Sequence, residues 1–253
     1  MADSNQSQMA NPYQSPTLDS SVDPEVPQVA VGDRWIEVGP YRSIRILSRI
    51  LIALLIANLI GNLVMAMASF LQVLQPDMYF AGEGLSPLEL VIAGVAFGTV
   101  IVYLTTAVTF LRWVYRVHSN LPALGAKRLD FSNGWSVGWF FVPILNLWKP
   151  YQVMKENFRG SLPGASYDGD DSIPIPSWLW TWWMFYVVSG IGNRVSHRIS
   201  TRIEDPTILQ SLAVFEVALS VWDVALTLLA LWVVWRISSL QETKATAAGP
   251  QLY

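Results

Sequence analysis

The stretch ILSRILIALLIANLIGNLVMAMASFLQVL, residues 46–74, decides the fold class of this chain. It is apolar over more than the roughly 20 residues that a helix needs to cross the ~30 Å hydrocarbon core of a bilayer. Hydrocarbon offers no partner to an unpaired backbone group, so such a segment crosses as a helix. Arg42, Arg45 and Arg49 mark its entrance, and Pro76 follows it. The stretch predicts a first membrane-spanning helix over residues 46–74.

Two more stretches meet the same requirement. Residues 88–111 are apolar. Ser86 is a typical helix N-cap, the proline after it suits the first helical position, and Glu89 completes a capping box. Residues 207–235 are also apolar, and Asp205 followed by a proline opens them in the same order. We therefore expect spanning helices over both ranges.

A shorter apolar run lies between these two. Two prolines precede residues 178–191, so a crossing helix has to continue beyond the run in the C-terminal direction. Arg194, Arg198 and Arg202 follow at one-turn spacing beside an apolar stripe, which is the pattern of an amphipathic helix. The pattern predicts a third span over residues 177–199, which makes an all-α bundle of four transmembrane helices.

The composition supports the membrane class. Hydrophobic residues make up 52% of the 253-residue chain and charged residues only 14%, and the mean hydropathy is +0.36. The chain has 12 tryptophans, a residue type that prefers the membrane–water interface. It has no cysteine, which excludes disulfides, cysteine-ligated metals and thiol nucleophiles.

The distribution of cations predicts the orientation. Thirteen of the sixteen Lys and Arg residues fall on one side of a four-span model whose two termini are cytoplasmic, which satisfies the positive-inside rule. This model predicts a multi-pass protein of the bacterial inner membrane, with the lipid bilayer as its surroundings. Residues 1–39, rich in polar residues and proline, are expected to form a disordered cytoplasmic tail, and residues 241–253 a flexible C-terminal tail.

Charged residues at membrane depth predict a polar network between the third and fourth spans. Asp223 lies about 20 Å from the inner end of the last helix, where an unpaired carboxylate is costly. We expect it to pair with Arg194, and Glu216 to pair with Arg198 or Arg202. Three interpretations stay open: a buried lock between two helices, a relay or polar cavity, or a location of the arginines on the surface.

A tryptophan-rich segment, residues 135–150, follows the second span. Its apolar run is too short to cross and contains Pro143, so it predicts an interfacial or re-entrant element. The segment resembles the hallmark of a bacterial membrane family called domain of unknown function 4328, or DUF4328. The resemblance covers roughly residues 40–240 and implies a four-helix or similar membrane domain, with no activity attached. The matching residues are Trp135, Gly138, Trp139, Pro143, Asn146, Pro150 and Tyr151.

No pattern in the chain indicates catalysis. His118 and His197 lack a second histidine or a carboxylate at ligand spacing, and no nucleotide-binding, metalloprotease or hydrolase motif occurs, so we expect no cofactor, metal or nucleic acid. Gly94 and Gly98 have the GxxxG spacing of self-associating helices. We predict a non-enzymatic scaffold that binds a protein partner on its cytoplasmic face; the alternatives are a small transporter or channel component and, third, an intramembrane enzyme.

Overall fold

The computed structural model describes residues 27–74, 87–164, 166–169, 172–202 and 206–249, and it is mostly helical. We number the helices in chain order. They are α1 (Arg45–Leu74), α2 (Pro87–Ser119), α3 (Asn133–Gly138), α4 (Lys149–Gly160), α5 (Ser177–Ser200) and α6 (Pro206–Ala248), with a 3-10 turn at Leu145–Leu147.

Three of these helices are long and apolar enough to cross a membrane. The qualifying segments are Arg45–Ala68, Leu90–Ser119 and Val214–Ala248. Large apolar side chains such as Phe97 and Val221 are exposed on them, 70% and 63% respectively. A surface of this kind is stable against lipid tails, so the membrane class predicted from the sequence agrees with the structure.

Helices form over all four predicted ranges, and two of them continue further. α6 runs 13 residues beyond the predicted end at 235 to Ala248. α2 continues eight residues beyond the predicted end at 111, because Trp113, Val114 and Val117 are fully buried and keep the helix packed. The capping box predicted at its start lies outside the described residues. α5 forms where the third span was predicted, but it is not among the three helices that are apolar enough by composition.

The helices pack in a defined order. α1 contacts α2 on one side and α6 on the other, and α6 also contacts α5. The main core lies where the start of α1 and the ends of α2 and α6 meet α4 and α5. It is built from large side chains such as Leu51, Trp113, Met154, Leu179 and Ile237.

A small sheet packs against a second, smaller cluster, which contains Leu121, Leu129 and Tyr167. β1 (Gln28–Val31) and β2 (Arg34–Glu37) form an antiparallel hairpin, and β1 pairs in parallel with β3 (Arg128–Leu129). Gly32, at φ 57°, makes the tight turn between the first two strands. We call the sheet, α3, α4 and the adjoining ends of α1, α2 and α6 the headpiece.

The hairpin corrects the prediction of a disordered tail over residues 1–39. Val29 is fully buried, because it packs inward from a strand that is paired on both sides. The sequence carries the signal, a Gly-Asp pair between two alternating runs, which is typical of a hairpin. Residues 1–26 lie outside the described part of the chain.

The structure also differs from the flexible C-terminal tail that was predicted over residues 241–253. α6 continues to Ala248, and Gln241 and Ala245 are fully buried in the headpiece. Polar residues on this last part of the helix face protein rather than water. Their polar composition is also typical of a flexible tail, which is why the sequence predicted one. Residues 250–253 are not described.

Gly192 offers a test of the α5–α6 packing. A Cβ on Gly192 would lie 2.6 Å from Cδ2 of Leu219, whereas a Cβ on Gly190, two residues away in the same helix, would meet nothing within 4 Å. We expect Gly192→Ala to cost about 1–3 kcal/mol through overpacking. Gly190→Ala should stabilise α5 by about 0.5–1 kcal/mol, since alanine favours helix over glycine. Thermal unfolding of both variants in detergent measures the difference, and equal melting temperatures would contradict this packing.

Candidate functional site

A buried histidine joins three parts of the headpiece. Nε2 of His118, near the end of α2, lies 3.0 Å from Oε2 of Glu156 on α4, and its Nδ1 lies 3.0 Å from Oδ1 of Asn133 on α3. The other carboxylate oxygen of Glu156 accepts the backbone N–H of Asp130 at 2.6 Å. The His118 and Glu156 side chains are 0% and 2% exposed. Their hydrogen bonds therefore hold α2, α3 and α4 in register.

A second group of hydrogen bonds joins the ends of the long helices. Asn120 accepts the N–H of Arg42 through Oδ1, and its Nδ2 donates to the Arg42 carbonyl and to Oε1 of Gln241. Nε2 of Gln241 donates to the carbonyl of Val117 at 2.8 Å. This carbonyl belongs to the last turn of α2, where helices leave acceptors free. The contacts fix the end of α2 to the start of α1 and to the end of α6.

Glu242 completes this junction at the N-terminus of α1. Its Oε1 accepts bonds from the Tyr41 hydroxyl, the Ser43 hydroxyl and the Ile44 N–H, and its Oε2 accepts Nε of Arg45 at 2.7 Å. A carboxylate is stabilised at a helix N-terminus by the unpaired N–H groups and the helix dipole. α6 thus provides a carboxylate cap to α1, in addition to the Ser43 hydroxyl, which accepts the N–H of Arg45.

Further contacts tie α4 and α6 into the same unit. Nζ of Lys244 donates to the Gly160 carbonyl at 2.9 Å, and Nε of Arg159 donates to the Ile173 carbonyl at 2.9 Å. Deeper in the bundle, the hydroxyls of Ser48 and Ser238 lie 2.7 Å apart. Such buried bonds fix relative position, because a group left unpaired costs its full desolvation energy.

Burial also shifts the titration of two headpiece side chains. Burial raises the pKa of Tyr167 above its ordinary value, and the nearby carboxylates of Glu156 and Asp130 raise it further. Burial lowers the pKa of Lys155, and the positive charge of Arg159 lowers it further. Tyr167 therefore stays neutral over the whole physiological range.

The His118–Glu156 pair is enclosed by protein. Within the described ranges, no group of three or more His, Asp or Glu side chains lies close enough to hold a metal ion. Sequence reasoning missed this buried pair, because its two members lie 38 residues apart and no local spacing connects them.

The residues of the tryptophan-rich hallmark form a bent element. Trp135 and Trp139 stack with ring centroids 4.4 Å apart, and a Cβ on Gly138 would lie 3.0 Å from the ring of Trp135. Gly138 thus leaves room for the ring. Pro143 precedes Ile144, whose φ of 67° marks the bend.

The bend leaves backbone carbonyls without helical hydrogen bonds, and a tryptophan of α5 donates a hydrogen bond to one of them. Nε1 of Trp183, on α5, donates to the carbonyl of Leu147 at 2.9 Å. Asn146, another residue of the hallmark, donates its backbone N–H to the Val142 carbonyl. The bond links the hallmark segment directly to α5.

The end of the hallmark starts α4. Pro150 is buried in the first turn, where its missing N–H costs nothing. The side chain of Lys155 lies over the Tyr151 ring at 5.7 Å, and Lys149 lies over the rings of Phe131 and Trp139 at 5.5 and 5.7 Å. Burial raises the pKa of Tyr151. Cations and aromatic rings therefore alternate along this surface.

Between α5 and α6, the predicted carboxylates have partners, but these are not the predicted arginines. Asp223 accepts hydrogen bonds from the Ser189 hydroxyl and, at 3.2 Å, from Nδ2 of Asn193. Glu216 accepts the hydroxyl of Ser196 at 2.8 Å. The contacts of Arg45 with Glu242 and of His118 with Glu156 lie elsewhere, in the headpiece.

The helical phase explains this difference. The residues that face α6 repeat as Ser189, Asn193 and Ser196, whereas Arg194 is one residue, about 100°, further around the helix. Arg194, Arg198 and Arg202 are all exposed. Residue counts along the two helices predict a similar depth for the carboxylates and the arginines. They do not predict which side of α5 faces α6.

The polar residues of α1 and α2 pair with each other. Nδ2 of Asn58 donates to the Thr106 hydroxyl at 2.6 Å, and both side chains are buried. Gly61 lets Thr99 approach to 3.0 Å of its missing Cβ. Gly94 and Gly98, predicted to support self-association, have no atom within 4 Å of the Cβ positions, so their face of α2 is open. Self-association through it stays a prediction.

Comparison with known families gives one match. A family model described as a domain of unknown function, DUF4328, matches residues 88–239, which contain the whole hallmark and α2 to most of α6. No curated protein and no solved structure matches the chain.

Glu156 tests the headpiece network. Glu156→Ala leaves Nε2 of His118 and the N–H of Asp130 buried without acceptors, so we expect a loss of about 3 kcal/mol in the free energy of unfolding. Glu37→Ala removes an exposed carboxylate on β2 and should change it by less than about 0.5 kcal/mol. Denaturant unfolding in detergent compares the two, and a Glu156→Ala variant as stable as Glu37→Ala would refute the role of the network.

Proposed function

This chain belongs to the family described as a domain of unknown function, DUF4328, and from this premise we propose that it is a non-enzymatic scaffold of the bacterial inner membrane. In this proposal four helices cross the membrane, both termini are cytoplasmic, and the headpiece presents a rigid surface to a protein partner. One observation carries it: the ends of α1, α2 and α6 that lie together are joined by buried hydrogen bonds.

The direction of the helices supports a fourth crossing. α2 ends in the headpiece, and α6 ends there too, so α6 begins at the opposite end of the bundle. A chain that leaves α2 on one side of the membrane and enters α6 on the other has to cross in between. α5 is 24 residues long, about 36 Å, and runs antiparallel to α6. Its Asn and Ser side chains bond the carboxylates of α6, which lowers the cost of a polar helix in lipid.

The cations support a cytoplasmic headpiece. In the four-span model all Lys and Arg residues except Arg194, Arg198 and Arg202 fall on the headpiece side of the membrane. The positive-inside rule assigns that side to the cytoplasm.

The hallmark segment fits an interfacial position on the inner leaflet. Large apolar side chains are exposed along it, among them Trp135, Phe141 and Ile144 at 51%, 69% and 70%. Lys149 and Lys155 lie beside them, where anionic headgroups would attract them. In this position the segment anchors the headpiece against the membrane.

The polar groups between the helices favour a scaffold over a transporter. Asn58 and Thr106 satisfy each other between α1 and α2, while Asp223 is satisfied between α5 and α6. A transport path would need such groups to line one continuous hydrated cavity. Two cavities, of about 350 and 440 Å³, lie instead beside Lys244 and Glu242 at the headpiece surface.

The four-span arrangement is testable with single cysteines, since the natural chain has none. We expect Ser200→Cys, at the end of α5, to react with a membrane-impermeant maleimide in spheroplasts. Ser166→Cys and Thr246→Cys, both at exposed headpiece positions, should react only after the membrane is opened. Labelling of Thr246→Cys from outside, or protection of Ser200→Cys, would contradict the proposal.

A further inference from the structure

α5 and the turn that follows it carry three cations without a bonded partner among the described residues. Arg194, Arg198 and Arg202 are exposed, and none forms an ion pair or side-chain hydrogen bond with any residue that the structure describes. Among the described residues, the nearest carboxylates on α6, Asp223 and Glu216, are already bonded by serine and asparagine.

The depth of these arginines in the membrane follows from the pairing of α5 with α6. Ser196 bonds Glu216, and Glu216 lies 20 residues, about 30 Å, from Arg236 along α6. That length equals the hydrocarbon thickness, so Ser196 lies near the outer boundary of the hydrocarbon. Arg198 lies beyond it, and Arg194 is only about 3 Å below it, within reach of the headgroups by snorkelling.

The surroundings of the three arginines are apolar. Val188, Ile191 and Val195 are exposed on the same helix, at 40%, 53% and 45%. A face that is apolar toward the middle of the membrane and cationic at its edge matches a lipid with an anionic headgroup. A second copy of the chain would bring the same positive charges against them, which disfavours self-contact through this face.

We propose that Arg194, Arg198 and Arg202 bind the phosphate groups of anionic lipids in the outer leaflet. The guanidinium group presents parallel N–H donors that match two phosphate oxygens, and the one-turn spacing sets the three groups along about 12 Å of helix. This inference rests on the proposed four-span arrangement.

Native mass spectrometry of the full chain tests the proposal. Dioleoylphosphatidylglycerol and dioleoylphosphatidylcholine are titrated into the detergent-solubilised protein. We expect the natural chain to bind the glycerol lipid preferentially, and the triple variant R194Q/R198Q/R202Q to bind it about tenfold more weakly, because charge-assisted hydrogen bonds are lost. Its melting temperature should not change, since the three side chains are exposed.

A matched variant controls for net charge. R34Q/K127Q/R128Q removes three exposed cations from the headpiece and should keep the lipid preference. A loss of preference in this variant, with none in the α5 variant, would overturn the proposal and assign lipid binding to the headpiece. Displacement of the lipid by inorganic phosphate at equal concentration, or by an acidic peptide, would also overturn it, because the ligand would then not be a lipid.

Labelling separates this inference from the proposed arrangement. If Ser200→Cys is labelled from outside but no lipid preference exists, only the lipid inference fails. If Ser200→Cys is protected in intact cells, the four-span arrangement fails and the lipid inference fails with it.

Discussion

Polar groups among apolar helices need partners within the protein, because neither lipid nor a packed core supplies them. The rest of the structure depends on this constraint. α1, α2 and α6 have apolar outer surfaces that would allow them to slide in a membrane. The hydrogen bonds of Asn120, Gln241 and Glu242 fix their ends at one level, and His118 with Glu156 fixes the short helices onto them. A bundle that is held at one end becomes a rigid support for the headpiece.

The same constraint explains the hallmark of the family. A proline-interrupted segment frees backbone carbonyls, and a fold can keep such a break only where another group bonds them. Trp183 provides this bond to Leu147 from α5, a helix that begins 30 residues later in the chain. Trp135, Gly138 and Trp139 form the stacked outer part of the break. The glycines, prolines and tryptophans of the pattern are thus parts of one packed bend, which accounts for the motif without any chemistry.

Local signals in the sequence were sufficient for the helices and their approximate bounds, because length, hydropathy and caps act within a single segment. They were insufficient wherever a residue's role depends on a distant partner. Gln241 looks like the start of a polar tail, yet it is buried against the end of α2. His118 looks isolated, yet Glu156 meets it from another helix. Arg194, Arg198 and Arg202 were expected to face α6 and are exposed instead, because a residue count predicts depth but not which side of a helix meets its neighbour.

The proposed four-span arrangement requires that α5 crosses the membrane with its polar side chains against α6. Collision accessibility of nitroxide labels, placed in turn at Trp180, Val188, Ile191 and Val195, measures this directly, because these exposed positions run along the helix. We predict that contact with oxygen, relative to a water-soluble nickel complex, is highest near Val188 and falls toward both ends of the helix. A profile that stays water-accessible throughout, or that changes in one direction only, would show that α5 lies on or outside the membrane and would contradict the account.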